Sequence, residues 1–492
     1  MTAAPASAWQ PVIGLEVHAE LQTRSKMFCG CAVVDSTLAA PNSSTCEVCV
    51  GLPGTLPVLN ARAVEYAIRV GLALGCSVRP TSVFARKNYF YPDLPKGYQI
   101  SQFELPLAVS GLLAIQTTSG PKPIRIRRVH LEEDTGKLSH RDGFSLVDYN
   151  RSGVPLVEIV SEPDLESIDD VKAYATGLRS LLRYLEVSSG DMEKGAIRFE
   201  ANVSMRPMGS GGLGTRTEIK NLNSFRSMLR ALAFEIDRQS QLLSAGGQVA
   251  QETLGWDDAA GIAYSQRGKE EAHDYRYFPE PDLPPLVLDP AWVDQIRASL
   301  PELPSARRER FELQYGLSAY LASVLTAERE TAGFFEAAAA SKPGTSPERI
   351  AHWLTGELFG QLHEAGAELE ASAVGPAMLA ELVELVESGA INASSGKTVL
   401  AEMLSSGREP REVVRGLGLA QISDPGEIDR LVADVLRLHP AQMAEYRAGK
   451  VALVQWFFGQ VMRAAGGRTN PGVVRERLEA ALHAAAENHT SS

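Results

Sequence analysis

Leu15-Glu16-Val17-His18-Ala19-Glu20-Leu21 places apolar residues at the odd positions and polar ones at the even positions. A period of two is the mark of a β-strand with one packed face and one open face. The same period returns from Ile197 to Arg206. There Ile197, Phe199, Ala201, Val203 and Met205 point one way, and Arg198, Glu200, Asn202, Ser204 and Arg206 the other. Two such strands predict a sheet packed on one side and lined with charged groups on the other. Helices punctuate it. Asn60 is a suitable N-cap for a helix through Leu74 that Gly75 ends; Asp169 or Asp170 begins a second, to about Tyr184; Asn223 or Ser224 opens a third, to about Leu243.

With 492 residues the chain is too long for one hydrophobic core. The Pro-rich run from Pro279 to Pro285, followed by Pro290, marks the exit from the mixed strand-and-helix region. Beyond it the sequence is Ala- and Leu-rich with helical spacing and no convincing strand. Gly389 and Gly396 bracket a short polar stretch, Ile391 to Ser395, that reads as a junction, and Ser423-Asp424-Pro425-Gly426 reads as a turn before the last helices. The expected organisation is an α+β region over 1–292, an all-α domain over 293–395 and a small helical tail over 396–492.

Residues 1–10 lack a basic start followed by an apolar run, and no stretch approaches the roughly 20 apolar residues of a membrane helix. A cytoplasmic protein is expected. The net charge of −12 argues against nonspecific coating of nucleic acid. Residues 391–492 carry 12 Lys/Arg against 11 Asp/Glu, so RNA contact there depends on arrangement, not bulk charge.

Four of the five cysteines lie close together, as Cys29-x-Cys31, fourteen residues, then Cys46-x-x-Cys49. Two close pairs suit tetrahedral Zn²⁺, and four protein ligands leave no open position, so the site would be structural. The plainer alternative is cysteines without metal. Cys76 reads as a core residue.

Glu16, His18 and Glu20 share one strand face. A solvated face explains that alone, but other segments add to it. The run Val129-His130-Leu131-Glu132-Glu133-Asp134 sets three consecutive carboxylates at a strand end, and the run Pro155–Glu162 places Glu158 within an otherwise apolar strand. A carboxylate there needs a cation or a partner. Together with the Arg198/Glu200/Asn202/Arg206 face, these groups suit Mg²⁺ held by a few carboxylates and nucleotide phosphates. The competing reading is a set of ion pairs with Arg125, Arg127 and Arg128.

No Gly-x-x-x-x-Gly-Lys-Ser/Thr loop is present, and the Gly-x-Gly-x-x-Gly at Gly209–Gly214, for which a phosphate cradle is the lesser reading, precedes Thr215-Arg216-Thr217-Glu218, so P-loop and Rossmann folds are disfavoured. Gly209-Ser210-Gly211-Gly212-Leu213-Gly214 reads as a hairpin loop. The absence of a Gly-x-Ser-x-Gly elbow and of a convincing cysteine nucleophile disfavours a glutaminase on this chain.

Arg86-Lys87-Asn88-Tyr89-Phe90-Tyr91-Pro92-Asp93, with Lys96 just after, and His273–Pro279 mix cations with aromatic rings. They suit ATP or the 3′ end of an RNA, and equally a Tyr/Phe core with solvated lysines. In the tail, Trp456, Phe457, Phe458 and Met462 mark an amphipathic helix whose rings read as core. Lys450, Arg463, Arg468 and Arg475 are the candidate phosphate contacts.

Six blocks in order, Val12–Leu21, Arg86–Asp93, His130–Asp134, Val157–Asp164, Lys220–Phe225 and Asp274–Asp282, resemble the signature blocks of the GatB family, the B subunits of Asp/Glu-tRNA amidotransferases. The resemblance runs through nearly the whole chain. It implies a cradle related in fold to glutamine synthetase, then a helical domain and a tRNA-binding helical tail. It implies Mg²⁺- and ATP-dependent phosphorylation of the side-chain carboxylate of Glu-tRNA(Gln) or Asp-tRNA(Asn). Ammonia then displaces the phosphate, supplied by an amidase (A) subunit in a complex with a small third (C) subunit. The zinc cysteines occur in only some members, and this chain has all four. By the resemblance, His18, Glu133 and Glu158 match metal ligands and Glu16 a neighbouring site residue. Glu200 and Asn202, with Lys87, Tyr89 and Lys96, are the candidates for holding the nucleotide. Two rivals stand beside this reading: an ammonia ligase acting on a free amino acid, and a noncatalytic tRNA-binding scaffold.

Overall fold

The computed structural model describes residues 8–118, 120–267, 275–420, 424–466, 469 and 471–487. The chain divides into two compact units, Met1–Ala306 and Arg307–Ser492.

The first unit is built on a nine-stranded sheet. Its strands are β1 (Trp9–Glu20), β2 (Ser77–Val78), β3 (Ala108–Thr117), β4 (Gly120–Glu133), β5 (Pro155–Ser161), β6 (Ile197–Pro207), β7 (Thr217–Leu222), β8 (Thr253–Asp257) and β9 (Ile262–Arg267). They lie in the order β9-β8-β7-β6-β1-β5-β4-β3-β2. Neighbours run antiparallel, except that β7 and β8 are parallel. The alternation read from the sequence sets the faces. Leu15, Val17 and Ala19 of β1, Val129 and Leu131 of β4, Val157 and Ile159 of β5, and Phe199, Ala201 and Val203 of β6 are buried in one core.

Three helices cover that face: α1 (Ala61–Ala73), α2 (Ile168–Tyr184) and α3 (Phe225–Ser244). Asn60 caps α1 through the backbone N–H groups of Arg62 and Ala63, and the chain leaves the helix through Gly75 at φ +65°. For α2 the cap is Ser167, which accepts from Asp170 N–H; Asp169 and Asp170, expected to start it, lie in its first turn, where carboxylates favour the helix N-terminus. Ser224 caps α3. The stretch Gly209–Gly214 lies in the connection of the antiparallel pair β6 and β7, as a hairpin loop would. A smaller sheet of Ala85–Asn88, Tyr98–Ser101 and Phe278–Pro279 carries the Lys87 segment.

In the second unit the regular elements are helices. One core includes Phe311, Phe335, Leu354, Leu382, Val399 and Leu400. The expected boundary between 395 and 396 is corrected, because both residues lie inside the helix Ala393–Ser406. Gly396 is there for packing: a Cβ would meet the Trp353 ring at 2.7 Å. A separate small core forms from Ile428 onward with Val432, Phe457, Val461, Leu478 and Leu482. Asp424 caps the helix Pro425–Leu438, while Ser423 lies outside the described residues. Among the described residues no helix is long and apolar enough to cross a membrane.

Candidate active site and metal centres

The sheet face opposite the helices is polar, and strand register gathers its groups. His18 of β1 pairs with Glu158 of β5 on one side and Arg198 of β6 on the other; Glu158 in turn pairs with His130 of β4. Directly opposed residues share a face, so segments more than 100 residues apart meet here. His18 Nε2 stands 3.4 Å from Glu132 Oε1 and 3.3 Å from Glu158 Oε2. One ligand atom from each of His18, Glu132 and Glu158 can be chosen so that all lie within 4.8 Å of one another. His130 Nε2 lies 3.1 Å from Glu158 Oε2, and Arg128 reaches the other oxygen at 3.8 Å.

This corrects one expected ligand. Glu133, not Glu132, was matched to the metal, yet Glu133 has the parity of Val129 and Leu131 and turns away from His18. Its carboxylate pairs with Lys96 and accepts from Ile100 N–H at 3.0 Å. Both Lys96 and Glu133 line a cavity of about 200 Å³ together with Phe28, Cys49 and Tyr98, and His18, Glu132 and Glu158 do not. Lys96 is thereby removed from the polar face, where it was expected among the nucleotide contacts. The signal was present in the sequence: Val129 and Leu131 announce the buried parity, and Arg128, His130 and Glu132 the open one.

Electrostatics sharpens the cluster. Burial works against charge on His18, but the Glu132 and Glu158 carboxylates outweigh it and hold the imidazole up to about 9. Burial likewise opposes ionisation of Glu158, and His130 and His18 overcome it, keeping that carboxyl well below the usual range. Glu16 is pushed up by burial and by Glu158 and Glu200. A buried cluster of carboxylates is a place that favours a cation.

Asn202 donates to Glu16 at 3.0 Å, and Glu200 pairs with Lys220 at 2.9 Å, so both belong to the polar face. Lys87 is raised despite burial, chiefly by Glu132, and its Nζ sits 4.9 Å over the Tyr275 ring. Tyr89 stacks on Tyr91 at 5.8 Å and meets Tyr275 edge-on. Phe103 stacks on Tyr277 at 4.1 Å. Arg125 and Arg127 are not partners of the cluster, since they pair with Asp164 and Glu162. Arg198 and Arg206 pair with Asp134 and Glu166. His273 and Asp274 lie outside the described residues. Sequence reasoning left His130 and Lys220 unassigned, and only the pairing of strands reveals them; Arg128, named there as an ion-pair partner, does pair with Glu158.

The four sulfurs of Cys29, Cys31, Cys46 and Cys49 come within 4.8 Å of one another, and the Cys46 N–H donates to Cys49 Sγ at 3.1 Å. That donor set and spacing fit a tetrahedral zinc ion. Cys76 is a core residue whose thiol burial pushes up to about 12. In the tail, Lys450 pairs with Glu445 at 2.7 Å, Arg463 is exposed and Arg475 lies 5.2 Å over Phe458. Arg468 lies outside the described residues. Phe457 is fully buried, and Trp456 and Phe458 pack beside it as core.

Residues 11–294 match the family described as the GatB/GatE catalytic domain, and residues 333–482 match a GatB domain. The chain is 51% identical over 480 residues to the B subunit of aspartyl/glutamyl-tRNA(Asn/Gln) amidotransferase from Myxococcus xanthus, covering 97% of this chain and 99% of that protein. It is 52% identical over 478 residues to the protein of the same name from Nitratidesulfovibrio vulgaris strain DP4, covering 97% and 100%.

Proposed function

Since this chain belongs to the GatB family, we propose that its polar sheet face activates the side-chain carboxylate of Glu-tRNA(Gln) or Asp-tRNA(Asn) with ATP for conversion to the amide. The observation that carries the reading is the convergence of His18, Glu132 and Glu158 on the polar face of the sheet, opposite the apolar face that forms the core.

A carboxylate is a poor acyl donor to ammonia, because its oxygen is a poor leaving group. In the proposed reaction a side-chain oxygen attacks the γ-phosphorus of ATP and ADP leaves. Ammonia then forms the C–N bond as inorganic phosphate departs. Both reactants of the first step are anions, so the main task is to hold them in line and offset their charge. His18, Glu132 and Glu158 are the residues that would hold Mg²⁺. When bound, the ion screens phosphate charge and orients the γ-phosphate. Lys87, set beside Glu132, and Arg128, beside Glu158, supply fixed positive charge at the edge of that position. His130 donates to Glu158 and fixes its orientation, as partners of ligating carboxylates do. Ammonia comes from an amidase subunit, in a complex that includes a small third subunit. Zn²⁺ in the four-cysteine centre serves structure.

The test uses this chain assembled with its amidase and small subunits, Glu-tRNA, ATP and ammonium chloride, which bypasses the amidase. Gln-tRNA and ADP should appear together. Glu132→Gln should cost roughly 100-fold and shift half-saturation to higher Mg²⁺, since loss of one ligand weakens the ion's hold. Glu133→Gln should leave the Mg²⁺ dependence where it was. Equal Mg²⁺ shifts in the two variants would overturn the ligand set. Inactivity of the verified complex with both Glu-tRNA and Asp-tRNA would overturn the function.

We further assign tRNA contact to the tail through Lys450, Arg463 and Arg475. Neutralising Arg463 and Arg475 should weaken tRNA binding and reduce the slope of log K against log salt by about 1 for each phosphate no longer neutralised. An unchanged slope in a filter-binding titration would remove these residues from the interface.

A further inference from the structure

Lys26 is fully buried, one of the largest side chains in the chain with no exposure. Its Nζ donates to the carbonyl oxygens of Ser44 at 2.8 Å and Tyr149 at 3.1 Å, and it reaches Cys49 Sγ at 3.6 Å. Among the described residues no Asp or Glu forms an ion pair with it. An ammonium removed from water is costly to bury unless an opposite charge answers it. Two carbonyls offer dipoles but no charge. The anion within reach is the sulfur of Cys49, and a thiolate is what a metal-binding cysteine presents.

Four thiolates on one Zn²⁺ carry two excess negative charges. We propose that Lys26 is the counter-charge of the four-cysteine centre, a positioning residue that stabilises its thiolates and ties the centre to the turn leading into β5. The proposal rests on the zinc reading of the cysteines. The tie is visible in the hydrogen bonds around Lys26. Its own Nζ holds Tyr149 O, the Met27 N–H donates to Gly153 O at 2.7 Å, and Ser152 Oγ donates to Cys49 O at 3.0 Å. Gly153 has φ +82°, and a Cβ there would stand 3.6 Å from both Lys26 Cδ and Cys49 Cβ. Two residues later β5 begins at Pro155, and it carries Glu158. The cysteine loop and the candidate active-site strand thus share one brace, with the Lys26 ammonium at its centre.

The experiment compares full-length wild type with Lys26→Met, which keeps most of the volume and removes the charge. Zinc content is measured first, then zinc transfer to a chromogenic chelator and alkylation of the cysteines by N-ethylmaleimide. Partners beyond the ligand shell typically affect metal affinity by about 10–100-fold. Zinc release from Lys26→Met should therefore be at least about tenfold faster, and alkylation faster too, because a thiolate stripped of its cationic neighbour is more nucleophilic. Wild-type protein without zinc would overturn the metal reading and this proposal with it. Zinc-loaded Lys26→Met that releases metal at the wild-type rate would overturn the proposal alone. Should the variant not fold, amine labelling of wild type decides: Lys26 should be protected with zinc and labelled once a chelator removes it. Equal labelling in both states would overturn the proposal.

Discussion

Exchanging Glu158 for Gln is expected to lower ATP-dependent amidation by roughly 10³-fold, with the fold intact. The size follows from what the carboxylate does in place. Removing one preorganised electrostatic group from a water-poor site typically costs 10²–10³ in rate, and Glu158 would be both a ligand to the ion and the acceptor for the His130 imidazole. His18 and His130 stand 3.3 and 3.1 Å from the same Oε2. The amide retains the shape, so β5, buried along its whole length, keeps its place in the sheet. What disappears is a full negative charge, ionised at any working pH because His130 and His18 hold it well below the usual carboxylate range. The assay is the ammonium-driven reaction with Glu-tRNA, read as Gln-tRNA and ADP, beside Mn²⁺ binding by calorimetry. Both should collapse together. Full activity in a Glu158→Gln complex that binds Mn²⁺ normally would falsify the assignment of this face.

The second large effect concerns zinc. Stripping the metal, or exchanging Cys46 for Ser, should release the segment around residues 29–57 and lower the thermal midpoint of the first unit. Residues 34–48 contain no buried side chain, and the segment around them has only Cys49 and a few neighbours to anchor it. Such a loop cannot offset its ordering entropy by apolar burial and depends on the ion. If ~3 kcal/mol of the zinc contribution reaches the cooperative unit, the midpoint falls by roughly 6–12 °C, at about 2–4 °C per kcal/mol for domains of this size. Differential scanning calorimetry of zinc-loaded and chelator-treated protein measures it, and limited proteolysis should find new cuts within 29–57. An unchanged midpoint with an uncut loop would mean that the cysteines do not hold a structural ion.

Much of this architecture is written in local patterns. Period-two runs identify β1 and β6 and tell which side of each is buried, because alternation is a property of one strand and needs no partner. Asn60 and Ser224 announce their helices through side chains that satisfy backbone N–H groups two or three residues away. The cysteine pairs likewise advertise a shared ion, since each pair is close in the chain and only one loop must close to unite them. Family membership, too, was legible, because several long blocks in fixed order are far more specific than any single motif.

Which acids meet is a matter of three-dimensional packing. Glu132 and Glu133 are indistinguishable by composition, but neighbouring residues on a strand point to opposite faces, and the register of β4 against β5 and of β5 against β1 brings Glu132 to His18. That register is imposed by burial of Val129, Leu131, Val157, Ile159 and Val17 in one core, for a slip of one residue would turn every one of them to the open face. Tertiary packing also brings Glu133 to Lys96, Arg125 and Arg127 to the acids of the segment after β5, and the Lys26 ammonium to Cys49. Which elements form, and which of their faces are apolar, could be read along the chain, because those preferences act between near neighbours. Contacts between charged groups more than 100 residues apart cannot be read from either segment alone, since they follow from how the buried faces interlock.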